Sequence, residues 1–407
     1  MMPMNSTHIC PVCNSKEIDI FFTLNNVPVF CNILYDSKEK AIQAQKGDIG
    51  LGFCNTCGHI YNYAFDPSLL HYSQKYENSL HFSPRFQEYS RRLVQSLYQK
   101  YDLNGKTIID IGCGKGDFLR QICSIGNNRG FGFDPSFEPQ RHNEASDVNL
   151  TFIQDLYGEK YSDYVADLIC CRHVLEHIES PNVFIKTVAD SSKANGSLLF
   201  FEVPNALFTI EDLAIWDLIY EHCSYFTANS LAYLFEINGY KIENIQTTFD
   251  DQFLTIEAVH TGNGKKHPSK RTDSSRVLKG KIAEFSKSYA EKFSKWRRVL
   301  LNRKTENRRG VVWGAGSKGV SFLNLLNDVC DIEYAVDINP NKTGKYIAGS
   351  GQQVMQPEFL ADYRPEYVII MNPIYVDEIK NQLLELGVDA EIYVDDKNLD
   401  SLQLEDS

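Results

Sequence analysis

Ile109-Asp-Ile-Gly-Cys-Gly-Lys-Gly-Asp117 is the stretch from which the fold is read. An apolar run ends at Asp110, and glycines follow at 112, 114 and 116. The pattern predicts a strand, a tight turn and a helix start. Such a turn lets bare backbone approach a ligand, with helix N–H groups aimed at it. Gly116 comes two residues after Gly114, not three, so the spacing is not that of a dinucleotide loop.

Around this turn, apolar strands alternate with helical stretches. The predicted strands are 107–111, 130–133, 150–153, 167–171, 197–203, 241–248 and 253–260, preceded by a helix over 84–101 with Phe86, Tyr89, Leu93 and Leu97 on one face. Alternation of this kind implies a parallel sheet with helices on both faces, and the last two strands suit an antiparallel edge. A basic, Gly- and Ser-rich linker and a helix over 277–303 lead to a second strand–loop–helix unit at Val311-Val-Trp-Gly-Ala-Gly-Ser-Lys-Gly319. Strands at 332–336, 367–371 and 391–394 complete a smaller α/β unit.

At 407 residues the chain needs two or three cores. Its net charge of −12 argues against sequence-independent nucleic-acid binding, which needs cationic surface. No apolar run approaches the ~20 residues of a membrane helix. The first eight residues lack a secretory pattern. Eleven cysteines, an odd number, fit a reducing compartment. We expect a cytoplasmic protein.

Cys10-Pro-Val-Cys13 and Cys54-Asn-Thr-Cys57 are two C-x2-C pairs forty residues apart. Two such turns can close a tetrahedral four-thiolate site for one structural Zn2+, with no position left for water. The plainer reading is four reduced cysteines in unrelated turns.

The acidic-first glycine turn resembles class I S-adenosylmethionine methyltransferases over about residues 84–262. On that resemblance Asp110, Gly112 and Gly114 line the methionine part of the cofactor, Asp134 takes the ribose hydroxyls, and Asp155 sits by the adenine amine. Arg172 and His173 close the pocket floor. Asp134 and Asp155 as helix-capping loop carboxylates is the alternative. Glu176-His177 follows the fourth strand and reads as structural or pocket-shaping. Class I methyltransferases share no common base, so the reacting group is sought elsewhere. Tyr220-Glu-His-Cys-Ser-Tyr225 follows the fifth strand, where loops face the ligand crevice, and offers a proton acceptor with neighbours to orient it. Packing roles for the same residues remain open.

The whole chain resembles the sugar C-methyltransferases of deoxysugar biosynthesis. The cysteine pairs, the 110–116 turn, Glu221-His222-x-Ser-Tyr225, Gly314-x-Gly-x-Lys-Gly319 and Val336-Asp-x-Asn-Pro-x-Lys-x-Gly-Lys-Tyr346 carry the likeness. In that family a Tyr-His-Glu-His run does the acid/base work. Here it is one residue shorter, with Tyr220 in the place of the first His. The resemblance implies a class I methyltransferase Rossmann-like seven-stranded sheet, flanked by a small N-terminal zinc-binding domain (1–80) and a C-terminal Rossmann-like α/β domain (309–407). The methyltransferase domain spans 84–262, and a linker and long helix span 263–308. It implies methyl transfer from S-adenosylmethionine to the carbon beside the ketone of a nucleotide-linked sugar. His222 would be the base, with Glu221, Tyr220 and Tyr76 around it. Asn205, Lys318 and Asn372 would hold substrate.

Taken alone, the 314–319 loop with Asp337 beyond it suggests NAD. The family likeness favours substrate or a structural role. An O- or N-methyltransferase on another small metabolite and a zinc-dependent RNA-binding scaffold are the remaining alternatives, and the acidic balance speaks against the second. Oligomeric state is not written in the sequence.

Overall fold

The computed structural model describes residues 8–70, 74, 76–139, 149–190, 196–261 and 272–395, with side chains omitted over 272–276. The first seven residues and most of the expected linker lie outside the described residues.

Three sheets organise the chain. The first joins β1 (Ile18–Pro28), β2 (Lys46–Cys54) and β3 (Ile60–Asn62) as antiparallel neighbours. Its fourth strand comes from far along the sequence. β9 (Ser224–Tyr225) pairs with β3, with Ile60 opposite Tyr225 and Tyr61 opposite Ser224. The segment expected to form a unit on its own is therefore completed by residues just past His222.

The central sheet has seven strands: β4 (Thr107–Ile111), β5 (Arg129–Phe133), β6 (Leu150–Ile153), β7 (Leu168–Arg172), β8 (Leu198–Pro204), β10 (Tyr240–Thr248) and β11 (Phe253–His260). Their order is β10-β11-β8-β7-β4-β5-β6, all parallel apart from β11, which runs antiparallel to both neighbours. This is the class I methyltransferase arrangement. The order reverses between β4 and β7, which places a ligand crevice at the C-terminal end of β4. β7 and β8 are buried on both faces, which explains their unbroken apolar sequences.

The third sheet is parallel, in the order β14-β13-β12-β15-β16, built from β12 (Gly310–Trp313), β13 (Tyr334–Val336), β14 (Gln353–Met355), β15 (Tyr367–Ile370) and β16 (Glu391–Val394). β14 has three residues and no alternation to betray it in the sequence. The helix Thr272–Thr305 buries Phe285, Tyr289 and Trp296 in a core shared with the first and third sheets. Lys292 and Trp296 on that helix both bond Asp395, just past β16, at 3.0 and 2.9 Å. Among the described residues no helix is long and apolar enough to cross a membrane.

Candidate functional site

The glycine turn behaves as its sequence predicts. Gly112, Gly114 and Gly116 all have positive φ (70, 56 and 87°), a region other residues avoid. A Cβ on Gly112 would collide with Val174, so glycine is what lets the turn lie against the 173–177 segment. Gly114 has open space where a Cβ would stand, so a bare backbone face is left for a ligand. Asp110, 3% exposed, is pushed up to about 7 chiefly by burial, and the nearby Asp134 adds to the shift. Asp134 accepts from Gly114 N at 2.8 Å and Ser136 N at 2.7 Å, bracing the turn. Donor set and backbone fit an S-adenosylmethionine cradle.

Asp155 stands past β6, paired with Lys160 and bonded by Tyr161 Oη at 2.6 Å, which together hold it down at about 2. Arg172 is not among the residues that line the cavity described below. Its guanidinium lies 2.8 Å from Glu202 and over the Phe118 ring, 8% exposed. Burial pushes Glu202 up, but Arg172 and His173 outweigh it and hold the carboxylate down at about 2. His173, with its backbone at φ 55°, lines the cavity described next.

A cavity of about 330 Å³, in the range of small-molecule pockets, opens between the three sheets. Tyr76, His177, His222, Lys318, Asn372 and the Gly314–Gly316 turn all line it. Loop residues Asn78, Ser79, Leu80 and Phe82 also line it, while His81 lies near Asp117 and Arg172.

His222 and His177 stand edge to face, with ring centroids 4.9 Å apart. His177 Nδ1 lies 3.0 Å from the Glu221 carbonyl oxygen, which fixes its tautomer with the proton on Nδ1. Burial holds His177 down at about 4. His222 is held well below the usual imidazole range by burial first, then by His177, His173 and Lys318. Both rings are neutral at physiological pH. Glu221 turns away from the cavity: its carboxylate accepts from Cys31 N at 2.8 Å. Burial lifts it to about 7, offset in part by Cys31 N–H and the Tyr76 hydroxyl. Tyr76, 6% exposed, also accepts from Asn32 Nδ2 at 3.2 Å.

Tyr220 is not at the cavity. It is 1% exposed, its hydroxyl accepts from Asp66 N at 2.8 Å, and its ring fills the space over Gly47. Ile219 lines the wall in its stead. Asn205 is likewise diverted: it caps the helix Ala206–Ile210 and donates to Asp251 O at 2.9 Å. His177, which the sequence reads as structural or pocket-shaping, lines the cavity. Its signal was its place in the loop after β7, on the crevice side of the sheet.

In the third sheet Asp337 Oδ2 accepts from Ala315 N at 2.9 Å and Lys342 Nζ at 3.0 Å, and Oδ1 from Asn339 N at 2.9 Å. Asp337 lines the cavity, with its carboxylate braced by its own loop and by Lys342. Lys318 pairs with Asp217, and both line the cavity. Asn372 and Gln252 exchange two amide hydrogen bonds of 2.9 Å.

Cys10, Cys13, Cys54 and Cys57 converge. Their sulfurs lie within 4.8 Å of one another, with Cys10–Cys57 and Cys13–Cys54 at 3.5 Å and no disulfide formed. A tetrahedral zinc with Zn–S near 2.3 Å sets sulfurs about 3.8 Å apart, so the four thiols fit the ion.

Residues 83–245 match the family model described as "Methyltransferase domain", and residues 277–390 match "C-methyltransferase C-terminal domain". The enzyme is an S-adenosylmethionine-dependent methyltransferase. Among its relatives is the C-methyltransferase NovU of Streptomyces niveus, 23% identical over 93% of this chain and 93% of that protein. The ubiquinone biosynthesis O-methyltransferase of Proteus mirabilis is 26% identical over 24% of the methyltransferase and 42% of that relative. Magnesium protoporphyrin IX methyltransferase from Synechocystis, solved with bound SAH, matches 43% of this chain and 84% of its own (TM-score 0.35, 19% identity). A SAM dependent methyltransferase from Aquifex aeolicus matches 48% and 98% (TM-score 0.36, 14% identity).

Proposed function

We propose that this methyltransferase transfers methyl to the carbon beside the ketone of a nucleotide-linked deoxy-ketosugar, with His222 as base. The single observation carrying this reading is the joint lining of one cavity by His222, His177, Tyr76 and Lys318, beside a glycine turn of cofactor geometry. The full-length likeness to NovU and the C-terminal domain match favour carbon as the acceptor.

S-adenosylmethionine would be held by Gly112 and Gly114, with Asp134 and Asp155 as the residues for its ribose and adenine, and would supply an electrophilic methyl. The remaining work belongs to the chain. A C–H beside a ketone is far less acidic than an imidazolium, so proton removal is the barrier. His222, neutral through burial, has its lone pair available. Burial also makes its cation costly, and a negative partner offsets that cost. The enolate forming on the substrate is such a partner, close to the imidazolium in a site of low dielectric. The Tyr76 hydroxyl is the donor proposed for the enolate oxygen. Glu221 acts through Tyr76 and through its backbone carbonyl on His177. Lys318 and the N–H groups of the 314–319 turn would hold the diphosphate, with Asn372 beside them.

We further propose that the four cysteines hold one structural Zn2+. Its role is to fix β2 and β3, and through β3 the β9 edge next to His222.

Incubation with labelled methyl donor and a panel of dTDP-, GDP- and CDP-linked ketosugars tests the substrate class. A carbon-bound label on a ketosugar supports the reading. Label appearing only on oxygen or nitrogen of another small metabolite would establish the O- or N-methyl alternative.

A further inference from the structure

We propose that Glu176, His177 and His222 form a second metal site, apart from the four cysteines. It would take a divalent transition ion and leave its remaining positions open to the cavity. One ligand atom from each of the three lies within 4.8 Å of the others, and Glu176 Oε1 is 4.0 Å from His177 Nε2. Metal–ligand bonds of about 2 Å set neighbouring N and O ligands about 3.4 Å apart, so small side-chain rotations close the set.

Two further features point to an ion. His177 Nδ1 already has the Glu221 carbonyl as partner, and its Nε2 lies 4.0 Å from Glu176 Oε1. A ring held in this way by its second nitrogen is the usual state of a metal-ligating imidazole. Glu176 is 2% exposed, and its Oε2 has no hydrogen-bond partner among the described residues. A buried carboxyl with an unpartnered oxygen is costly, and a cation would take the place of its proton.

Two imidazoles and one carboxylate select zinc, cobalt, nickel or ferrous iron over magnesium and calcium, which prefer oxygen. Three protein ligands beside a cavity make an open site, unlike the closed four-thiolate one. A bound ion would occupy the His222 lone pair and so block proton removal. That consequence rests on the function proposed above, whereas the binding itself does not.

The test is a cobalt(II) titration of full-length protein whose cysteine site is already filled with zinc, followed by visible absorption. The expected result is one further equivalent per chain, with d–d bands and no thiolate charge transfer, insensitive to excess magnesium. His177→Ala and the near-isosteric Glu176→Gln should each weaken it at least tenfold. Absence of a second absorbing equivalent, thiolate charge transfer alone, or binding undiminished in both variants would overturn the site. If cobalt binds as expected yet methyl transfer proceeds at full rate, the metal site stands and the assignment of His222 as base falls.

Discussion

Tyr61 and Ser224 are paired in antiparallel register. The first lies four residues past Cys57 and the second two residues past His222, so the cysteine cluster and the cavity share one sheet. Removing a zinc ligand should therefore act on catalysis through backbone. We expect Cys54→Ser to lose about one zinc per chain, to lower Tm by several degrees and to depress kcat together with protein stability. Metal analysis and thermal melts on the same sample check this.

The two tyrosines should separate cleanly. Tyr220→Phe removes the hydroxyl bonded to Asp66 and should cost about 1 kcal/mol of stability with turnover of the folded enzyme nearly unchanged. Tyr76→Phe should lower kcat by about a hundred- to a thousandfold, the range for one oxyanion donor, and should also cost about 1 kcal/mol, because its buried hydroxyl bonds Asn32 and Glu221. Denaturant melts and initial rates on both variants test the pair.

Much of the architecture was legible. The central strands are buried on both faces and read as plain apolar runs, and the glycines at 112, 114 and 116 mark a positive-φ turn that few other sequences tolerate. The cysteine spacing gave the cluster. What escaped was direction over a short irregular stretch. Residues 219–222 lie between two elements with no period to phase them, so nothing in the sequence says that Ile219 and His222 face the cavity while Tyr220 faces Gly47. β9 escaped because two residues carry no strand signal, and its partner is over 150 residues away. Asn205 looked available because it follows β8 at the crevice. Its amide is consumed by a helix cap and by Asp251 O, a contact made across sequence distance.

Lys318 and Asp217 should set substrate affinity. With Asp217→Asn the ammonium loses its internal anion, and KM for the nucleotide-linked substrate should fall several-fold. Lys318→Ala should raise KM about tenfold or more, and the wild-type KM should rise with salt. Steady-state kinetics at two ionic strengths check both.

Glu176 gives a pH signature. Burial lifts its pKa from the carboxylate range to about 8, so the folded state binds a proton between about 4.5 and 8 that the unfolded state does not. Stability from this group is full below about pH 4.5 and is lost as pH rises toward 8. Glu176→Gln cannot ionise, so variant minus wild-type stability should grow by about 1 kcal/mol or more between pH 5.5 and 8.5. Melts across that range, with no metal added, measure it. His177, held down at about 4, acts in the opposite sense and lowers stability as pH falls below about 6.5, in both proteins alike.

The most direct measurement is proton exchange at the carbon beside the substrate ketone, followed by NMR in deuterium oxide without methyl donor, for wild type and His222→Asn. Wild type should wash in deuterium at that carbon, and the variant should lose the exchange by a hundredfold or more while still binding S-adenosylmethionine. Exchange at an undiminished rate in the variant would contradict the assignment of His222 as the base.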